Sequence, residues 1–170
     1  MLIKKYMFIA VLLCTAWCAA AQNTQVHIRP GIARMAAKLE KDKMLHFGAP
    51  VGFAGKRETN NKYYRLYQKL KNKATNEELV ALTQHNTSVP KLIYSFEILY
   101  HRKYAGLKNI FLEHINDTTW YWTAGGCTGV LNRVNLFMFR LMRSGNYLIK
   151  EESMLYCERF KKLDEWMSCE

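Results

Sequence analysis

Gly125-Gly126-Cys127-Thr128-Gly129 is the segment whose residue types come nearest to chemistry. A thiol at a glycine turn is a nucleophile once a base takes its proton, and successive glycines can aim backbone N–H groups at a phosphate. The base would have to be His101 or His114, brought close only by folding. The segment lacks the lysine and the spacing of a P-loop. The plainer expectation is a helix-start turn in which glycine lets two helices approach closely. Cys127 therefore marks a thiol-dependent enzyme as one alternative function, not the leading one.

The remaining candidates weigh the same way. His27, His46, His85, His101 and His114 show no i, i+4 pair, and no C-x-x-C is present, so neither a metal nor another cofactor is expected. His114 falls on an apolar helical face and reads as a hydrogen-bonded core residue. Trp120-Tyr121-Trp122 offers a stacking surface for sugars or bases, but on a helix start its rings would diverge and some would be core. Tyr63, Tyr64 and Tyr67 lie among Lys62, Arg65 and Lys69. With Lys91 and Arg102, those three basic residues form a candidate face for an anionic partner. Glu77-Glu78 and Glu151-Glu152 sit at expected helix starts, where they complement the helix dipole. Asn86-Thr87-Ser88 and Asn116-Asp117-Thr118 match the glycosylation sequon but also suit capping turns. No catalytic residue is assigned.

Charge and export frame these candidates. The formal net charge is +11, and removing Lys4 and Lys5 with a leader leaves +9. Such a balance favours acidic partners, although the basic residues are spread along the chain. Lys4 and Lys5, the apolar run from Met7 to Trp17, and Ala19-Ala20-Ala21 have the order of a secretory signal. Cleavage near Ala21 would deliver a periplasmic or secreted chain beginning at Gln22. Cys14 and Cys18 lie in that leader without the small preceding residue of a lipobox. Cys127, Cys157 and Cys169 remain, which allows either one disulfide of open pairing in an oxidising compartment or three unpaired thiols with Cys127 buried as a small hydrophobe.

The elements that must position these residues read as helices. Hydrophobic residues make up 49% of the chain, too many for disorder. Ile32 to Met44 predicts a helix with Ile32, Met35, Ala36 and Leu39 on one face. His46 to Gly55 reads as a loop. Tyr63, Leu66, Tyr67, Leu70 and Ala74 form an i, i+3, i+4, i+7 stripe. Thr75 and Glu78 form a capping box. Ser88 and Pro90 suit the start of a helix through Val89, Leu92, Ile93, Phe96 and Leu99. Leu107 to Ile115 predicts another, Val130 to Met142 the most buried one, and Tyr156, Phe160, Leu163 and Met167 an amphipathic C-terminal helix. No strand shows period-two alternation over a useful length. Val80-Ala81-Leu82 with Asn86 and Ser88 is echoed thirty residues later by Ile110-Phe111-Leu112 with Asn116 and Thr118.

The stretch KATNEELVALTQHNTSVPKLIYSFEILYHR, Lys73 to Arg102, resembles a HEAT-like unit of small secreted bacterial proteins of the Bacteroidetes type. IFLEHINDTTWYWTAGGCTG looks like the following unit. The similarity spans Tyr63 to Met142. Lys91 stands near the place of the family's early second-helix arginine, and Pro90 replaces an aliphatic residue. The resemblance implies an all-α fold, a short right-handed stack of antiparallel helix pairs (a HEAT/armadillo-like α-α superhelix). It also implies at most a protein-binding role. The expected organisation is a signal peptide over 1–21, an N-terminal tail, short helix and loop over 22–58, and a helical-hairpin domain over 59–170. The expected function is a non-enzymatic exported protein-interaction module with an unknown protein partner. A cationic binder of anionic polymer or membrane surface is the second expectation. No small-molecule substrate is inferred.

Overall fold

A computed structural model describes residues 26–48, 50–51, 56–57, 61–84, 87–125 and 128–161. The chain is not all-α. It runs α1 (Pro30–Leu39), β1 (Met44–Leu45), β2 (Pro50–Val51), β3 (Lys56–Arg57), α2 (Lys62–Lys73), α3 (Asn76–Ala81), α4 (Val89–His101), α5 (Leu107–Glu113), β4 (Trp120–Gly125), β5 (Thr128–Arg133), α6 (Val134–Ser144) and α7 (Lys150–Lys161). A three-stranded sheet of order β1-β4-β5 is mixed: β1 pairs parallel to β4, and β4 pairs antiparallel to β5. Strands β2 and β3 form a separate antiparallel ribbon, β2 within the expected loop of His46 to Gly55 and β3 just after it.

This corrects the expected superhelix of helix pairs. The first helical pair exists as α3 and α4, which pack together. After α5 the chain turns into β4 where a second long helix was expected. The reason lies in the residues. Trp120, Tyr121, Trp122 and Thr123 are aromatic and β-branched types that suit a pleated surface. Their exposure alternates: Trp120 and Trp122 outside, Tyr121 and Thr123 inside. The sheet also takes Val130 to Arg133 from the predicted helix, so α6 begins at Val134.

Helix α4 is the centre. Every residue from Leu92 to Leu99 is buried, so this helix is covered on all sides. Helix α6, expected to be the most buried, keeps Arg140 exposed and Leu141 half-buried. Helix α1 is shorter than the expected span of Ile32 to Met44: it ends at Leu39, the Asp42 N–H returns to Leu39 O, and Met44 belongs to β1. Ile32, Ala36 and Leu39 face the core as the stripe predicts. Tyr67 and Leu70 do so from α2. Aromatic rings join the layers. Phe47 meets Tyr67, Tyr94 and Phe137, and Phe139 meets Phe111 and Phe160. Cys157 is buried and disulfide-bonded, with its partner outside the described residues.

Both halves of the Thr75–Glu78 capping box form. Glu78 does more than cap. Its carboxylate accepts from the Arg29 backbone N–H at 3.0 Å, from Arg29 Nε at 2.8 Å and from a terminal guanidinium nitrogen at 2.7 Å. One buried side chain thus fastens the N-terminal approach to α1 onto α3. Ser88 stands at the N-cap position of α4 but makes no side-chain cap.

Among the described residues, no helix is long and apolar enough to cross a membrane. The leader, His85, Asn86, Cys127, Leu163, Met167 and Cys169 lie outside the described residues.

Candidate functional site: the outer face of the sheet

The pleat places alternate residues on opposite sides. On β4, Tyr121 turns inward, and its ring meets Phe137 edge-on at 5.9 Å between centroids. Thr123 and Asn132 also point in, with Asn132 Nδ2 donating to Thr123 Oγ1 at 2.9 Å. Arg140 from α6 donates to Asn132 Oδ1 at 3.3 Å, tying helix to sheet. Burial pushes the Tyr121 phenol upward, so it stays protonated.

The opposite face is open. Trp120 is 52% exposed and Trp122 46%, and the two side chains stand about 7 Å apart along the strand. Across the sheet, Met44, Trp122 and Leu131 are register partners, so all three share this face. Met44 and Leu131 are exposed as well. Gly129 makes the arrangement possible. A Cβ there would lie 2.9 Å from Met44 Cε and 3.0 Å from Trp122 Cε3, so both side chains lie across the glycine. Trp120 pairs in register with Arg133, whose guanidinium stacks over the indole at 4.3 Å from its centroid.

A buried polar cluster holds β1 in this sheet. Tyr94 donates its hydroxyl to Asp42 Oδ2 at 2.7 Å, and the same hydroxyl oxygen accepts from the His46 backbone N–H at 2.8 Å. Asp42 Oδ1 accepts from the Met44 N–H at 3.2 Å. The central helix therefore grips both ends of β1. Burial first, and then the Asp42 carboxylate, pushes the Tyr94 phenol upward and keeps it a donor. A neighbouring pair repeats the logic: Tyr67 donates to Glu97, which also meets His101 Nε2 at 3.0 Å. His101 lines a cavity of about 430 Å³ together with Tyr100, Lys103, Gly145, Asn146 and Tyr147. Two residues there have positive φ, Lys103 at 54° and Asn146 at 56°. Both close helix C-termini: Tyr104 N–H returns to Leu99 O, and Tyr147 N–H to Met142 O, each at 3.0 Å.

The sequence candidates fall as follows. Lys62, Arg65 and Lys69 are exposed on one side of α2 at i, i+3 and i+7. Lys91 is not with them, because its ammonium pairs with Glu40 at 2.7 Å. Arg102 is drawn into backbone capping, donating to Lys71 O at 2.5 Å, Ala74 O at 2.9 Å and Asn76 Oδ1 at 2.8 Å. Cys127 lies outside the described residues, but Gly125 and Thr128 on either side of it pair across β4 and β5, so the expected helix start is corrected: strands flank the thiol. His114 is buried, with Nε2 2.7 Å from Thr83 O. Among the described residues, no three histidine, cysteine or acidic side chains group closely enough to hold a metal. Sequence reasoning named the tryptophans but missed Met44, Leu131 and Arg133 as their neighbours. The missing signal was alternation: Trp120 and Trp122 out, Tyr121 and Thr123 in, followed by a glycine-rich link. No protein family matches this chain, and neither a curated protein nor a solved structure does.

Proposed function

We propose that this protein is an exported, non-enzymatic docking module whose contact surface is the outer face of the mixed sheet. One observation carries the proposal: two half-exposed tryptophans share a face with Met44, Leu131 and Arg133. Aromatic residues, methionine and arginine are the types enriched at protein–protein contacts, while Lys, Glu and Asp are depleted. The three strands carry no lysine, aspartate or glutamate. Exposing two indoles to water sacrifices burial worth about 25 cal/mol per Å² of apolar area. A partner would recover it. The signal-like leader supports export, and binding would then occur outside the cytoplasm.

Quantitative capture from the exported fraction of the source cells tests this. Trp120→Ala with Trp122→Ala should weaken retention of a specific partner by at least about 2 kcal/mol, roughly thirtyfold, as hot-spot truncations do. A partner retained equally by the double variant would refute the proposal.

A second function rests on a different surface. Lys62, Arg65 and Lys69 give α2 a basic side, and the chain carries +11. This supports adsorption to anionic polymer or membrane. Such binding must weaken as salt rises and must depend on those three residues.

A further inference from the structure

The sheet face holds one charge, and that charge lacks a counterpart. The Arg133 guanidinium makes no side-chain hydrogen bond or ion pair among the described residues, and its Nε is buried without a hydrogen-bond partner. Its flat face is occupied by the Trp120 ring. Stacking and burial close off Nε but leave the two terminal nitrogens of the guanidinium outside the buried polar atoms, and a carboxylate matches that end-on pair of N–H donors in shape and charge. No described residue supplies the guanidinium with a counter-charge, so a partner carboxylate on its terminal nitrogens would add charge-assisted hydrogen bonds that the chain itself does not make.

We propose that the docking segment is an acidic-apolar stretch of a partner protein: a carboxylate pairs with Arg133 while a neighbouring apolar side chain seats on Trp122 and Leu131. This rests on the docking function proposed above. Charge complementarity selects the occupant. The strands of the face carry no acid, and the chain as a whole is +11. A second copy of the chain would bring the same positive charge and no carboxylate from its own sheet face, so self-association is disfavoured. A nucleic acid would ask for a row of phosphate contacts, whereas this face offers a single arginine. One charge beside an apolar patch fits a short peptide segment.

Panning a random peptide library against the full chain tests the proposal, with Trp122→Ala, Arg133→Gln and Arg133→Lys run in parallel after thermal melts have shown each variant folded. Peptides enriched on the wild type should carry an aspartate or glutamate close in sequence to leucine, isoleucine or phenylalanine. The acidic preference should vanish on Arg133→Gln while the apolar preference persists. An individual enriched peptide should bind Arg133→Gln about tenfold more weakly and Arg133→Lys between the two. Enriched peptides without acids, or an acidic preference unchanged on Arg133→Gln, would overturn the carboxylate proposal yet leave the docking surface standing if Trp122→Ala abolishes enrichment. Enrichment no better on wild type than on Trp122→Ala would overturn both.

Discussion

Single side chains in this protein carry more than one duty, and that makes their loss measurable. Glu78 caps α3 and receives Arg29. Arg29's hydrogen bonds are the main reason its carboxyl is held down to about 2. In the unfolded chain a glutamate titrates at about 4.3. The fold therefore prefers the ionised form. Its contribution is fully present above about pH 5 and is lost as pH falls toward 2. Glu78→Gln lacks the contribution at every pH, so the Tm gap between wild type and variant should narrow in acid. Thermal melts from pH 7 down to about 2.5 check this, and a gap independent of pH would contradict it. Tyr94 is the other such residue. Tyr94→Phe removes the donor to buried Asp42 and the acceptor of the His46 N–H. Urea titration should show a loss of about 1–3 kcal/mol. Because Asp42 and His46 flank β1, amide exchange at Met44 and Leu45 should also accelerate.

At the scale of elements, the hairpin decides both fold and site. Helical stripes on α1, α2 and α4 were legible because core contacts recur at i, i+3 and i+4, and the capping box named its own first turn. The strands were not, for two reasons. Strand β1 spans only Met44–Leu45, too short for a pattern, and is held by Tyr94 from a distant helix. Strand β4 exposes its largest apolar side chains, which reverses the rule that aromatic runs are core. Antiparallel pairing with β4 then overrode the helical reading of Val130 to Arg133. The open face predicts an unusual ratio of effects. Trp122→Ala should cost less than about 1 kcal/mol of stability, as cross-strand surface pairs do, while Phe139→Ala in the core should cost about 3–5. Denaturant titration of the two variants compares them directly. Gly129→Ala should leave the fold intact but displace Met44 and the Trp122 ring, altering tryptophan fluorescence and weakening docking together. Unchanged fluorescence would contradict the close approach over Gly129.

The whole molecule is a helical body built around α4 with a small sheet on one side and a basic helix, α2, among its exposed surfaces. Composition and charge foretold a folded, cationic chain, but not where recognition would sit. Lys62, Arg65, Lys69, Lys91 and Arg102 are equivalent as letters. Only folding separates the three on α2 from Lys91 on Glu40 and from Arg102 on the backbone carbonyls. Neutralising the α2 trio should reduce retention on an anionic column and lower its salt dependence, with docking at the tryptophans unaffected. Placing a photoreactive phenylalanine analogue at Trp122, and separately at Arg65, in the living source cell tests the central claim most directly. A discrete crosslinked protein from position 122, absent from position 65, is the expected result. Crosslinks from position 65 with none from position 122 would show that the tryptophan face is not where this protein meets its partner.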